Sequence, residues 1–354
     1  MKTFIRGFLF LLLLFSSTTI YSQYEFFKPD WYGNIGFKKL YVKVGDQNAE
    51  YTKKIMKLFQ DNWTVCPVEF FSNKIDKSLF VDGNLFMNFE RYTLASQYVR
   101  DYGNNGGISR GDVTYNDYYY FNFWVIDKKY KPKYDWWDYK YTVAKSEFYL
   151  KTIGMGEEEF KAFQMELVIG KRPSVFAVQR EEFYPKIYDF SDVDFQNYFL
   201  NGTEGHLKNM IQYVNAEIKK GTQRELFDNF KMDSELQKLK TATLYFPNYW
   251  YGETGTITEK LPKESKYYDA TVKYIDNLIK AYPYKMQLIN RSELKDMILK
   301  TDQDFYYLNY IQSSADKLIS IVNGRTGEVI YSENTKNSYR IKEKDIDKLV
   351  KALK

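Results

Sequence analysis

The order of strand and helix patterns near the amino end of the chain recurs near the carboxyl end. Alternating or continuous apolar residues indicate strands, and apolar residues spaced three and four apart indicate helices. In the first half the patterns predict a strand, a helix, a strand, a short polar helix and two further strands, at 39–44, 47–63, 65–71, 73–79, 84–89 and 118–127. In the second half they predict a strand, a helix, a strand, a short helix, a strand and a hairpin, at 243–248, 263–282, 284–290, 291–300, 304–311 and 317–332.

The shared order predicts an α/β (α+β) fold built from two related β-α-β-α-β-β units, each a mixed sheet covered by helices. The alternative is a chance match between two generic α/β patterns. The predicted organisation is a signal peptide, a first unit with an aromatic-rich insertion, a helical connector and a second unit, at 1–22, 23–200, 201–241 and 242–354.

Local features support the predicted hairpin and the predicted connector. The hairpin has Asn323-Gly324 and then Gly327 between its strands, and Gly327 can supply a positive φ. The connector contains an amphipathic helix at 202–221 with Thr203 as a candidate cap and Gly221 as its end. Strands at 160–170 and 174–179 and an amphipathic helix at 342–353 complete the predicted elements.

The amino terminus has the pattern of a secretory signal peptide. Lys2 and Arg6 precede an apolar run at 8–15, and the small residue Ser22 marks a cleavage site that leaves Gln23 first. The run is shorter than the ~20 residues of a membrane-spanning helix, and no later segment has a comparable one. We therefore expect an exported protein, periplasmic or secreted, without a transmembrane segment. Cys66 is the only cysteine, so no disulfide can form within the chain, and its apolar context predicts a small buried residue.

Charge and composition exclude several classes of function. The full chain has a formal charge of 51 − 46 = +5, which becomes 49 − 46 = +3 once Lys2 and Arg6 are removed with the signal peptide. This near balance, together with export, excludes a nucleic-acid partner. One histidine and one cysteine cannot complete a tetrahedral zinc site, and no glycine-rich phosphate loop is present, so neither a metal nor another cofactor is expected.

No catalytic residue is predicted. A nucleophile-histidine arrangement would have to use His206, which we expect to be structural because it lies at the start of a helix. The acid pairs Asp192/Asp194 and Asp302/Asp304 lack the rest of a calcium loop, and "SSADK" (313–317) has a serine near a lysine without a supporting hydrolase motif. A carboxylate pair of the glycosidase type remains open.

The most aromatic part of the chain is "TYNDYYYFNFWVIDKKYKPKYDWWDYKYT" at 114–142. Residues 118–126 are apolar on both faces of a strand, which predicts a place in the core. Around Pro132 lysines and acids alternate with rings, which favours an exposed loop. The predicted partner-binding residues are Lys131, Lys133, Tyr134, Trp136, Trp137 and Tyr139. They suit stacking on a sugar or contact with an anionic or protein partner, or else the rings fold back onto the sheet.

Several stretches, among them "TLYFPNYW", "AYPYKMQLINRSEL" and "SYRIKEKDIDKL", resemble a family of exported proteins of Gram-negative bacteria with no assigned activity. The resemblance covers roughly residues 200–354 and implies export and no catalytic residues. The β-α-β-α-β-β order also resembles, by pattern alone, the amino-terminal domain of TolB and related periplasmic proteins that hold partners. The sequence thus favours a non-enzymatic binding and assembly module of the cell envelope, with an envelope protein as partner. An aromatic-lined glycan-binding protein or a carboxylate-dependent hydrolase is the alternative.

Overall fold

A computed structural model describes the parts of the chain that form two sheets and the helices on them. The described residues are 24–26, 36–72, 74–101, 108–126, 140–148, 186–188, 190, 199, 201–222, 224, 229–248, 268–313, 316–335, 338 and 341–354. The predicted signal peptide, the predicted strands at 160–170 and 174–179, and residues 127–139 lie outside them.

Six α-helices occur in the described part of the chain. They are α1 (Glu50–Asn62), α2 (Glu204–Lys220), α3 (Asp233–Gln237), α4 (Tyr268–Ala281), α5 (Arg291–Lys300) and α6 (Glu343–Ala352). Within these ranges no helix is both long and apolar enough to cross a membrane. The cap predictions for α2 are confirmed, since the Thr203 hydroxyl accepts a hydrogen bond from the backbone N–H of His206 and Gly221 ends the helix in the left-handed conformation.

The first sheet has seven strands. They are β1 (Tyr24–Phe26), β2 (Lys39–Lys43), β3 (Val68–Phe71), β4 (Asn84–Asp101), β5 (Ile108–Ile126), β6 (Lys140–Phe148) and β7 (Lys186–Tyr188). Their order is β1-β6-β5-β4-β2-β3, and β7 pairs with β4. Strand β2 is parallel to both β3 and β4, whereas β4, β5 and β6 form an antiparallel meander.

The second sheet has six strands. They are β8 (Phe230–Lys231), β9 (Leu244–Pro247), β10 (Met286–Ile289), β11 (Tyr306–Ser313), β12 (Asp316–Asn323) and β13 (Val329–Thr335). Their order is β10-β9-β11-β12-β13-β8. Strand β9 is parallel to β10 and β11, whereas the pairs β11–β12, β12–β13 and β13–β8 are antiparallel. The protein therefore belongs to the α+β class, with two mixed sheets.

The two sheets share the same central arrangement. In each sheet one strand, β2 or β9, pairs in parallel with a neighbour on both sides, and an antiparallel meander follows. Each meander has a register shift at the equivalent place, between Phe123 and Trp124 in β5 and between Ile321 and Val322 in β12. Aligning Tyr41 of β2 with Tyr245 of β9 also places Asn88 and Asn309 at equivalent positions. This correspondence is what a duplication would produce, and descent from one unit stays a prediction.

Helix α2 lies between elements of both halves. Asn215 on α2 accepts hydrogen bonds from the backbone N–H groups of Thr64 (2.7 Å) and Val65 (3.1 Å), just after α1. Nearer the start of α2, Asn209 donates a hydrogen bond to the carbonyl oxygen of Gly324 at 3.0 Å and accepts one from the Tyr307 hydroxyl at 3.1 Å. Most of the buried apolar residues of both sheets form one continuous cluster that includes this helix. On the other face of the first sheet Tyr41, Phe86, Trp124 and Ile126 form a second, smaller cluster.

The structure differs from the sequence-based element boundaries in the first half. Strand β4 continues to Asp101 and β5 begins at Ile108, whereas the sequence patterns predict strands only at 84–89 and 118–127. The polar stretch 73–79 contains a single 3₁₀ turn at Lys77–Leu79 in place of a helix. Strand pairing across a long hairpin depends on residues far apart in sequence, so local patterns do not reveal where it ends.

Candidate functional site

The six predicted binding residues, Lys131, Lys133, Tyr134, Trp136, Trp137 and Tyr139, lie outside the described residues. The structure does describe both ends of the segment that contains them. Ile126, the last residue of β5, pairs with Lys140, the first residue of β6. Residues 127–139 thus leave and re-enter the first sheet at one place, and we call them the aromatic segment.

The strand before the aromatic segment belongs to the core, as the sequence predicts. Every residue from Tyr119 to Ile126 is buried. On one face Phe123 stacks on Trp63 with ring centroids 5.4 Å apart, and on the other Trp124 stacks on Phe86 at 4.6 Å. The rings of this strand therefore support the sheet and are not available to a ligand.

A buried carboxylate lies beside the base of the aromatic segment. Glu90 on β4 is fully buried, and its side chain forms an ion pair with Lys140, whose side chain is 7% exposed. The second carboxylate oxygen of Glu90 accepts hydrogen bonds from the Tyr120 hydroxyl (3.2 Å) and from the Asn122 amide nitrogen (3.0 Å). Three donors from β5 and β6 therefore converge on one carboxylate, which is the usual way to stabilise a buried charge.

Trp124 and Asn88 border this cluster. The Lys140 ammonium lies 5.3 Å from the centroid of the Trp124 ring, within the range of a cation–π contact. In one orientation of the Asn88 amide both of its polar atoms have hydrogen-bond partners. The oxygen then accepts from Trp124 Nε1 at 3.0 Å, and the nitrogen donates to the carbonyl oxygen of Met87 at 3.1 Å. One acceptor stays unsatisfied, because Asn122 Oδ1 has no hydrogen-bond partner within the described structure.

The second sheet has no such charge at the corresponding place. With Tyr41 and Tyr245 aligned, Glu90 corresponds to Ile311 and Tyr120 to Leu318. The aromatic segment corresponds to Arg325 and Thr326, which form a tight turn between Gly324 and Gly327. The first sheet therefore has a longer connection and a buried ion pair at places where the second sheet has neither.

His206 has a structural role. Its imidazole is buried, and Nδ1 lies 2.7 Å from the Thr203 hydroxyl that also caps α2. Burial, with a smaller contribution from the positive charge of Arg291, lowers the pKa of His206 to about 3. A neutral imidazole held in a helix cap, packed edge-on to the Tyr307 ring at 6.0 Å, is not placed to act on a ligand.

Two further sequence candidates, Asp304 and Lys317, are held in ion pairs, whereas Asp302 is exposed. Asp304 pairs with Arg325 at 2.7 Å, and hydrogen bonds from Arg325 and Asn323 lower its pKa. Lys317, from the serine–lysine pattern, forms a buried ion pair with Asp345, and burial lowers its pKa. Cys66 is partly buried, which raises the pKa of its thiol. Asp192 and Asp194 lie outside the described residues.

An open groove of about 330 Å³ lies between β8, β13 and α6 in the second sheet. Lys231, Lys348 and Lys351 contribute to its lining. Lys231 pairs with Asp233 at 2.8 Å and Lys348 with Glu333 at 2.5 Å. Two of the three positive charges are therefore balanced by neighbours, and we do not assign the groove a ligand.

The Glu90 cluster is the part of the site that sequence reasoning missed. A signal was present, since Asn88 and Glu90 alternate with Met87 and Phe89 in "FMNFE" and so fall on one face of an apolar strand. The ion pair itself joins residues 50 positions apart, which no local pattern reveals. Among the described residues no group of three or more His, Cys, Asp or Glu side chains is arranged to hold a metal ion.

Comparison of the chain with models of protein families, with curated proteins and with solved structures finds no match in any of the three. What the protein does must therefore be inferred from its own residues and their arrangement.

Proposed function

We propose that the protein is an exported, non-enzymatic binding and assembly module of the cell envelope. It acts in the periplasm or outside the cell after cleavage near Ser22. Its partner is an envelope protein, which binds to the aromatic segment through Lys131, Lys133, Tyr134, Trp136, Trp137 and Tyr139.

The observation that carries this proposal is the insertion of the aromatic segment at a hairpin turn. At the equivalent turn of the second sheet only Arg325 and Thr326 separate the two glycines, so a mixed sheet of this kind is complete without the segment. Loops that a rigid scaffold does not need for its own closure are where binding residues concentrate. Two adjacent tryptophans and the tyrosines near them supply residue types that are enriched in protein interfaces.

Both ends of the segment are attached to the first sheet, since Ile126 is buried and Lys140 is paired with Glu90. A binding segment held at both ends loses less conformational entropy on binding than a free tail. Three of the described catalytic candidates, His206, Asp304 and Lys317, have structural partners, which favours binding over catalysis.

The test is photo-crosslinking in the native host from a probe amino acid at position 134, with captured species identified by mass spectrometry. We expect one defined envelope protein. Trp136→Ala combined with Trp137→Ala should abolish its capture, because the two rings are the proposed anchors. The matched control is Val81→Ala, which removes an exposed apolar side chain (52% exposed) from another part of the first half and should leave capture unchanged.

Two outcomes contradict the proposal. Capture of the same protein by the tryptophan variant at full yield would show that the rings are not the contact. Capture of polysaccharide from position 134, with a loss of glycan binding in the tryptophan variant, would establish the alternative of an aromatic-lined glycan-binding protein. Hydrolysis of that glycan, abolished by replacing one acid, would establish the carboxylate-dependent hydrolase.

A further inference from the structure

We propose that β10, the edge strand of the second sheet, binds an extended acidic segment of a partner protein, which joins the sheet as one more strand. The aromatic segment takes no part in this contact, so the inference is independent of the proposed function. β10 is the last strand in the order β10-β9-β11-β12-β13-β8, and within the described part of the chain it pairs with β9 alone. The addition of a peptide strand to an open sheet edge is a common mode of protein recognition.

The outer side of β10 presents backbone groups that the sheet does not use. On the inner side the carbonyl oxygen of Lys285 accepts a hydrogen bond from the N–H of Leu244 in β9 at 2.9 Å. Successive residues of a strand direct their backbone groups to opposite sides, so those of Met286 and Leu288 point away from β9. Each of these two residues therefore offers one N–H donor and one carbonyl acceptor to an added strand.

The equivalent edge of the first sheet is protected, and the comparison shows what β10 lacks. With the two sheets aligned, Phe70 of β3 corresponds to Leu288 of β10. The outward carbonyl oxygen of Phe70 accepts a hydrogen bond from Gln47 Nε2 at 3.2 Å, and Glu69 places a charge on β3. Charged residues and covering groups are usual protections of an edge strand. β10 contains no charged residue, and no hydrogen bond from a described residue reaches the carbonyl oxygen of Leu288.

Leu288 adds an apolar contact to this edge. Its side chain is 37% exposed, which makes it one of three exposed large apolar residues in the described part of the chain, with Val81 and Val272. Leu288 pairs with Phe246 in β9, so it lies on the same sheet face as that buried ring. An apolar side chain on an added strand would cover Leu288, as cross-strand neighbours do within a sheet.

The charges beside β10 favour an acidic partner. Helix α4 leads into this strand, and between 272 and 289 the exposed charged residues are Lys273, Asp276, Lys280 and Lys285. None of the three lysines has an ion-pair partner among the described residues. A second copy of this chain on the same edge would bring like charges together, whereas an acidic segment supplies the opposite charge.

The test uses the full chain and a synthetic peptide in which valine and threonine alternate between a pair of glutamates at each end. Binding is followed by fluorescence anisotropy and by the backbone amide resonances of the labelled protein. The N–H resonances of Met286 and Leu288 should shift and exchange more slowly with solvent, because they donate to the peptide. Those of Gln287 and Ile289 face β9 and should change little.

Leu288→Glu removes the apolar contact and places a negative charge on the edge, so it should weaken peptide binding by about tenfold or more. The matched control is Val81→Glu, which makes the same change at an exposed apolar residue in the first half and should leave binding unchanged. Urea unfolding of both variants checks that they fold. Two control peptides need no protein variant: one has lysines in place of the glutamates, and the other has proline at its central positions. Neither should bind, because the first repels the lysines beside β10 and the second lacks strand donors.

The proposal is overturned if the acidic peptide does not bind, if the lysine peptide binds as tightly, or if the proline peptide does. It is also overturned if folded Leu288→Glu binds the acidic peptide like wild type, or if the amide changes do not centre on Met286 and Leu288. A dimer of the chain that Leu288→Glu dissociates and the acidic peptide does not would assign the edge to a second copy instead. None of these outcomes depends on whether capture from position 134 succeeds, so the two proposals fail separately.

Discussion

Gly327 has a backbone conformation and surroundings that only glycine accommodates. Its φ is +73°, and a Cβ atom there would lie 2.4 Å from the carbonyl oxygen of Asn209 in α2. Because that oxygen belongs to a helix backbone, it cannot move aside as a flexible side chain would. We expect Gly327→Ala to lower the free energy of unfolding by about 3 kcal/mol, measured by urea denaturation, as left-handed strain and overpacking add.

Gly221 provides the matched control for this prediction. Its φ is +64°, but a Cβ atom there would meet no other atom within 4 Å. Gly221→Ala should therefore cost only the left-handed strain, about 1 kcal/mol. Equal costs at the two positions would show that the contact between the hairpin turn and α2 is looser than the structure indicates.

The lowered pKa of His206 predicts that the free energy of unfolding depends on pH. Its pKa is about 3 in the folded protein and about 6.5 in the unfolded chain, so protonation favours the unfolded chain between these values. The stability associated with the neutral imidazole is complete above pH 6.5 and is lost as pH falls towards 3. At pH 5 the loss should be about 2 kcal/mol, since each unit corresponds to about 1.4 kcal/mol.

The check is urea unfolding at pH 7 and pH 5 for wild type and His206→Asn. The asparagine does not titrate and can still bond to the Thr203 hydroxyl, so the variant should lose about 2 kcal/mol less than wild type between the two pH values. The carboxylates titrate alike in both proteins and cancel. If both proteins lost the same free energy of unfolding between pH 7 and pH 5, the imidazole would be taking up a proton in the folded state.

At the scale of elements, α6 is attached to the second sheet by a buried charge pair. Lys317 on β12 pairs with Asp345 in the first turn of α6, and Asp345 also accepts from the backbone N–H of Lys342 at 2.6 Å. Asp345→Asn removes the charged partner of the buried Lys317 ammonium and should cost about 3 kcal/mol in thermal or urea unfolding. Lys348→Met, which breaks the more exposed pair with Glu333, should cost less than about 1 kcal/mol. If Lys348→Met lowered the free energy of unfolding more than Asp345→Asn, the Lys317–Asp345 pair would not be the main attachment of α6.

Elements with strong local signals could be predicted from the sequence, whereas those set by distant pairing could not. The boundaries of α5 and the hairpin with its positive-φ Gly327 follow from periodicity and turn residues that act over a few positions. Strand β6 and the distal parts of β4 and β5 depend on pairing between residues far apart. The composition of the aromatic segment is enough to predict it as a binding candidate. The Glu90–Lys140 pair could not be predicted in this way, because it depends on the register of β4, β5 and β6.

At the scale of the whole molecule, α2 contacts elements of both halves of the chain. One part of the helix holds the turn after α1 through Asn215, and another holds Tyr307 and the Gly324 turn through Asn209. The continuous buried cluster includes apolar residues from both sheets and from this helix. The chain boundaries predicted at 200 and 241 separate segments of sequence, but the core continues across them.

This continuity predicts a single cooperative unfolding transition. Hydrogen exchange followed by mass spectrometry across a urea series should give the same midpoint for peptides covering 119–126 in the first sheet and 306–310 in the second. Asn209→Ala removes the hydrogen bonds to Tyr307 and Gly324 and should cost about 2 kcal/mol, because two buried hydrogen bonds are lost. Asn209 has its hydrogen-bond partners on the side of the second sheet, yet we expect the variant to lower both midpoints equally. A midpoint that falls for 306–310 and stays constant for 119–126 would show two independent domains joined by α2, and the stability of the aromatic segment's scaffold would then be set by the first sheet alone.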